Sequence, residues 1–171
     1  MVFARPPAPQ RQSANIETLI HSVIDRFTEE LIAAEIQLRL NIAAPESSGH
    51  SPLNSRPSPP TAHVDPEQFQ VVLIELLRNA LRAAGRGGRI GLRTRNRVWQ
   101  GRDWLEVDLF NNGPELTPVE REHAFDPFFS GRDAGRGLGF GLTKCWRILT
   151  GHGGRIGVQS NSERTVFRTL W

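Results

Sequence analysis

The 171-residue chain has 38% hydrophobic and 23% charged residues, enough for one domain with its own core and no metal or disulfide staples. Cys145 is the only cysteine, so no disulfide framework forms within the chain and a reducing, cytoplasmic setting is expected; no run of eighteen apolar residues offers a membrane segment, and the Pro-, Gln- and Arg-bearing start lacks the apolar core of a secretory signal. A net charge of +3 and a pI near 10.3 raise the question of nucleic acid, but Lys144 is the only lysine and no basic run or aromatic–basic alternation occurs, so the basicity reads as arginine spread over a solvated sheet face and no nucleic-acid partner is expected.

Residues 1–14 read as a flexible lead-in to a single domain over 15–171. From Ile16 to about Ala34 apolar residues recur at helical spacing (Ile16, Leu19, Ile20, Val23, Ile24, Phe27, Leu31), with Asn15 placed to cap the start. Ile36, Leu38, Leu40 and Ile42 then alternate with Gln37, Arg39 and Asn41, the pattern of a half-buried strand. Residues 43–62, rich in Pro, Ser, Gly and Asn, predict a mobile loop inside the domain. Asp65-Pro66-Glu67-Gln68 is a helix start, and the helix runs to about Ala84, where Gly85, Gly87 and Gly88 stop it.

Strands follow at about 89–97 and 103–110, joined around Gln100-Gly101, and an irregular stretch covers 111–136. A helix from about Leu138 to Thr150 ends at Gly151-His152-Gly153-Gly154, before strands over 155–160 and 164–170. Each strand sorts its residues: Ile90, Leu92 and Thr94 against Arg89, Arg93 and Arg95; Leu105, Val107 and Leu109 against Trp104, Glu106 and Asp108. A sheet apolar on one face only is covered by helices on one side, which predicts a two-layer α/β sandwich with a mixed, mostly antiparallel sheet.

On the helix 66–84, Glu75, Asn79 and Arg82 fall within about 60° of one another, opposite Phe69, Leu73, Leu76, Leu77, Ala80 and Ala84. A solvent stripe would look the same, but a carboxylate, a neutral carboxamide and a cation on one face can also position a nucleophile's proton, a Mg²⁺ ion and a phosphate oxygen. Asn111 ends its strand on the helix-covered face and Asn112-Gly113 turns the chain; this is a good turn, and equally an amide oxygen placed to accept from an adenine amino group with the Gly113 backbone close by. Gly135-Arg136-Gly137-Leu138-Gly139-Phe140-Gly141 opens a helix, letting backbone N–H groups approach phosphate. It does not follow a strand and no Gly-Lys-Ser/Thr follows it, so neither a dinucleotide turn nor a P-loop is present.

Taken together, Glu75-Leu-Leu-Arg-Asn79-Ala-Leu-Arg82 resembles the N box of the gyrase, heat-shock-chaperone, histidine-kinase and MutL ATPase superfamily, and Asn111-Asn112-Gly113-Pro114 its first glycine box. Phe125-Asp-Pro-Phe-Phe129-Ser130-Gly-Arg132 resembles the F box of sensor histidine kinases of the nitrogen-regulation type, and Gly135 to Leu142 the second glycine box. His152-Gly153-Gly154-Arg155-Ile156 resembles the link into the penultimate strand of those kinases.

The resemblance implies a Bergerat-type ATP site. Asn79 would bind Mg²⁺, Glu75 would orient or deprotonate the acceptor, and Arg82 and Arg132 would meet phosphates. Asn111 and Gly113 would hold the base, with Phe129 and Ser130 contributing from the F box. Residues 113–137 would form the ATP lid, and Gly135, Gly137, Leu138, Gly139 and Gly141 would wrap the phosphates. It further implies transfer of the γ-phosphate to a histidine on a separate dimerisation domain, with a response regulator downstream. None of the chain's histidines sits in the acceptor pattern of that family, so the chain reads as a catalytic module, whether excised or free-standing.

Three departures stand out. Asn111 replaces the family's usual aspartate, Glu115 replaces a glycine, and the usual glycine between the last two strands is missing around Arg164-Thr165. They keep two rivals open: a degenerate nucleotide-binding or protein-interaction module, and a gyrase- or MutL-like ATPase in which water replaces histidine.

Overall fold

Side-chain caps close the first turn of three helices in the computed structural model, which describes residues 6–42, 61–127, 129 and 140–171. Strand β1 (Gln12–Asn15) runs straight into helix α1 (Ile16–Asp25), whose first turn is closed by the Asn15 side chain accepting from the Thr18 N–H at 3.0 Å. The expected single helix to Ala34 is two: α2 (Thr28–Ala33) follows a break at Arg26-Phe27. Leu31 N–H still donates to Phe27 O, so the buried stripe Val23, Phe27, Leu31 keeps its phase across the break. Periodicity alone cannot register such an interruption.

After β2 (Gln37–Ile42) comes β3 (Thr61–Val64), which pairs antiparallel with β1, Gln12 opposite Val64 and Asn15 opposite Thr61. The expected lead-in therefore contains a strand, and the end of the expected 43–62 loop contains its partner. Both are four residues long and mostly polar, too short for alternation to show. Most of that loop, 43–60, lies outside the described residues.

Helix α3 (Pro66–Ala84) has the expected ends: Asp65 accepts from the Gln68 N–H at 3.0 Å, Pro66 occupies the first turn, and Gly85 at φ 65° terminates it. Such a cap contributes about 1 kcal/mol. The Gln68 side chain does not reach back to the cap; it donates to Pro7 O at 2.9 Å and ties down the preceding segment.

Strands β4 (Arg89–Trp99) and β5 (Arg102–Asn111) form a hairpin whose two turn residues, Gln100 and Gly101, both have positive φ (53° and 69°), matching the twist of the strands. A short helix, α4 (Pro118–His123), occupies part of the stretch expected to be irregular; Thr117 and Glu120 cap it reciprocally. Helix α5 (Gly141–Gly151), β6 (Arg155–Ser160) and β7 (Thr165–Leu170) complete the chain.

The main sheet has the order β2-β4-β5-β7-β6, parallel only between β2 and β4. Its inner face (Ile90, Leu92, Leu105, Val107, Leu109, Phe167) packs on α3, which lies between α1 and α5. This is the two-layer α/β sandwich expected.

The outer face departs from a solvated arginine surface. Glu106 and Asp108 are 0% and 2% exposed there, beneath Arg93, Arg95, Arg97 and Arg168. Phe110 lies across Gly91, its partner in register, leaving no room for a Cβ.

Candidate functional site

The end of β5 and the middle of α3 bring the first group of expected residues onto the helix-covered side of the sheet. Asn111 is 1% exposed, and its Oδ1 accepts from the Gly113 N–H at 3.0 Å, a local turn held by the side chain itself. Asn112 Oδ1 accepts from the Arg89 N–H at 2.7 Å, pinning the same loop to β4. A Cβ on Gly113 would stand 2.5 Å from Ala83 O, so only glycine lets the loop pass this close to α3. Asn111 is in register with Thr165, whose hydroxyl lies 2.6 Å from Ser160 Oγ, and Ser160 Oγ accepts from the Leu116 N–H at 2.9 Å.

The sequence reading did not single out Ser160 or Thr165. They fasten the loop after Asn111 to the β6–β7 end. Between β6 and β7, where the family's glycine is missing, Asn161 Oδ1 accepts from the N–H groups of Glu163 and Arg164, each at 3.0 Å, and holds the turn. Glu115 is exposed.

On α3, Glu75 and Asn79 are half-buried and Arg82, in the last turn, is exposed. Glu75 meets the first turn of α5. Its Oε1 accepts from Lys144 Nζ at 2.6 Å, and a Cβ on Gly141 would come within 2.9 Å of its Oε2. The lysine was not anticipated as a site residue; it is 69 positions from its partner, and only the packing of α3 on α5 joins them.

Phe129 is half-buried, its ring centroid 5.4 Å from that of His123. The hydrogen bond that His123 Nδ1 donates to Asp126 Oδ2 outweighs burial and holds that imidazole above its ordinary pKa. Ser130, Arg132, Gly135, Gly137, Leu138 and Gly139 lie outside the described residues, as does most of the expected lid beyond Pro127.

Cys145 is fully buried under α3, its Sγ 3.8 Å from Val72 O, and burial pushes its thiol pKa up, which leaves it a packing residue. Of the four tryptophans, Trp171 lies against Phe69 with centroids 4.9 Å apart, Trp99 and Trp104 stand 6.1 Å apart, and Trp146 is 47% exposed.

A buried amide thus ends β5, and on the adjoining helix a carboxylate meets the start of α5. Residues 64–171 match the family described as histidine kinase-, DNA gyrase B- and HSP90-like ATPase, and the chain belongs to that family.

The sensory histidine kinase/phosphatase NtrB of Salmonella typhimurium is 31% identical over 166 residues, covering 93% of this chain and 44% of that protein. The chain thus spans under half the length of the curated relative. The nucleotide-free catalytic domain of the histidine kinase ThkA superposes with a TM-score of 0.76 at 25% identity, covering 94% of both chains. ThkA in complex with the response regulator protein TrrA gives 0.73 at 23% identity over 95% of this chain and 41% of the other, a likeness of fold.

Proposed function

We propose that this chain is the ATP-binding catalytic domain of a sensor histidine kinase, which passes the γ-phosphate of Mg·ATP to a histidine on a separate dimerisation domain. The observation that carries this reading is the meeting of Glu75 with the start of α5, one helical turn from Asn79 on α3, on the sheet side that also buries Asn111. The Asn111 Oδ1 uses one lone pair on Gly113, and its second is free by valence to accept from an adenine amino group. The start of α5 at Gly141 would offer backbone N–H groups to the phosphates.

Asn79 would supply one neutral oxygen for Mg²⁺, a hard donor of the kind that ion takes beside nucleotide phosphates and water. Bound there, Mg²⁺ would offset charge on the phosphate oxygens. The chain's own residues orient and exclude: Glu75 receives the N–H proton of the acceptor imidazole as its other nitrogen forms the N–P bond, and the P–O bond to ADP breaks in line. Arg82 lies at the cleft edge to meet phosphate charge.

The downstream partner on this reading is a response regulator, as the ThkA–TrrA pairing illustrates for its own chain. No helix among the described residues is long and apolar enough to cross a membrane, and the site is assigned to the cytoplasmic side, where ATP is available.

The chain should be mixed with a histidine-bearing dimerisation segment and γ-labelled ATP. Acid-labile label on the segment, lost with Glu75→Ala, is the expected result. Steady release of inorganic phosphate without acceptor would support the water-using ATPase instead, and no transfer at millimolar ATP would overturn the kinase reading.

A further inference from the structure

Glu75 is held through one oxygen: Lys144 Nζ donates to Oε1 at 2.6 Å, while Oε2 lies at the start of α5, where a Cβ on Gly141 would come within 2.9 Å of it. The ammonium competes with an acceptor imidazole for the same carboxylate, so the function proposed above is served by the pair's release. Lys144 is the fourth residue of α5, and side chains on a helix lean back toward its N-terminus, where the proposed function puts phosphate. The lysine side chain is 48% exposed, so water screens the pair and it is readily exchanged. The terminal phosphate of ATP is a stronger and more highly charged partner for an ammonium than a single carboxylate.

Resting on the assignment of this cleft to ATP, the geometry points to Lys144 as a γ-phosphate-specific switch: it restrains Glu75 until a triphosphate draws it away, and so frees the carboxylate for the acceptor only when transfer is possible. ADP lacks the group that recruits the lysine and leaves the pair closed.

The test is a double-mutant cycle read by calorimetric titration of Mg·ATP and Mg·ADP. Lys144→Met should weaken ATP about tenfold, the worth of one charge-assisted hydrogen bond, and leave ADP unchanged. Glu75→Gln should tighten ATP severalfold, because the lysine no longer has a competing partner, and that gain should vanish in the Lys144→Met background. Equal effects on ATP and ADP, or tightening by Glu75→Gln that survives the loss of the lysine, would overturn the switch while leaving the nucleotide site intact. Absence of binding of either nucleotide to the unaltered chain would remove the site itself, and the switch with it.

A second readout needs no variant. Lys144 is the only lysine, so acetylation of its amine followed by mass spectrometry reports one side chain. ATP should protect it more than ADP does, and equal protection would contradict the switch.

Discussion

At the scale of single residues, the proposed function makes the amide at 111 and the glycine at 113 the groups that would meet the base. A carboxylate accepts more strongly than an amide and has no N–H end to misdirect, so Asn111→Asp should tighten ATP by about tenfold, read by calorimetry, while leaving the turn to Gly113 in place. Gly113→Ala should act in the opposite sense. Its Cβ would strike a backbone oxygen of α3, which cannot rotate away, and destabilisation of about 1–3 kcal/mol in urea unfolding is expected.

Glu75, Asn79 and Arg82 were legible from the sequence because all three ride one helix, where spacing alone fixes their direction. Lys144, Ser160 and Thr165 were not, because each acquires its partner only through contacts between elements distant in the chain. The turn held by Asn161 was equally hidden, since it depends on side-chain hydrogen bonds.

At the scale of elements, the β4–β5 hairpin shows what alternation reveals and what it conceals. The two faces, the turn at Gln100-Gly101 and the end at Asn111 follow from the pattern of apolar residues. The same pattern assigned Glu106 and Asp108 to a solvated face, whereas the arginines of β4 and β7 fold over them. Burial by itself raises the Asp108 carboxyl pKa, but the hydrogen bonds and charges of Arg168 and Arg93 outweigh it and the pKa is lowered.

The arrangement is asymmetric: the arginines are 40% and 47% exposed at 95 and 97, and Glu106 is 0%. Glu106→Gln returns the guanidinium groups to water and should cost about 1–2 kcal/mol. Replacing Arg95 and Arg97 together by Met leaves a buried carboxylate facing Arg168 alone at 3.3 Å, and should cost about 3 kcal/mol or more. Comparison of urea midpoints orders the two, and the reverse order would contradict the burial argument.

At the scale of the whole molecule, His152 joins the segment before β1, the start of α3, the end of α5 and the C-terminus. Its Nε2 accepts from the Asp65 N–H at 3.2 Å, its Nδ1 donates to Ile148 O at 2.9 Å, and its ring meets the edge of Trp171 at 5.1 Å. Asp65 in turn accepts from the Gln10 N–H at 2.8 Å, and Arg11 donates to Gly151 O at 3.2 Å. Burial lowers the His152 pKa from 6.5, assisted by Arg11 and only partly opposed by Ile148 and Asp65.

The unfolded chain therefore takes up this proton first. The contribution of neutral His152 is complete above 6.5 and is lost as pH falls from 6.5 through the lowered value. Stability should decline over that window by at most about 1.4 kcal/mol per pH unit, and His152→Gln should abolish this component. Asp108, with its ordinary value of 3.8 lowered, adds its own acid loss only below 3.8.

The cleft between α3 and α5 is tested most directly by a crystal structure of the chain with Mg²⁺ and a non-hydrolysable ATP analogue. The purine amino group should lie within hydrogen-bonding distance of Asn111 Oδ1, with the metal on Asn79 and the phosphates at the start of α5. A purine bound elsewhere, or a cleft closed by the chain's own side chains at saturating analogue, would contradict the site.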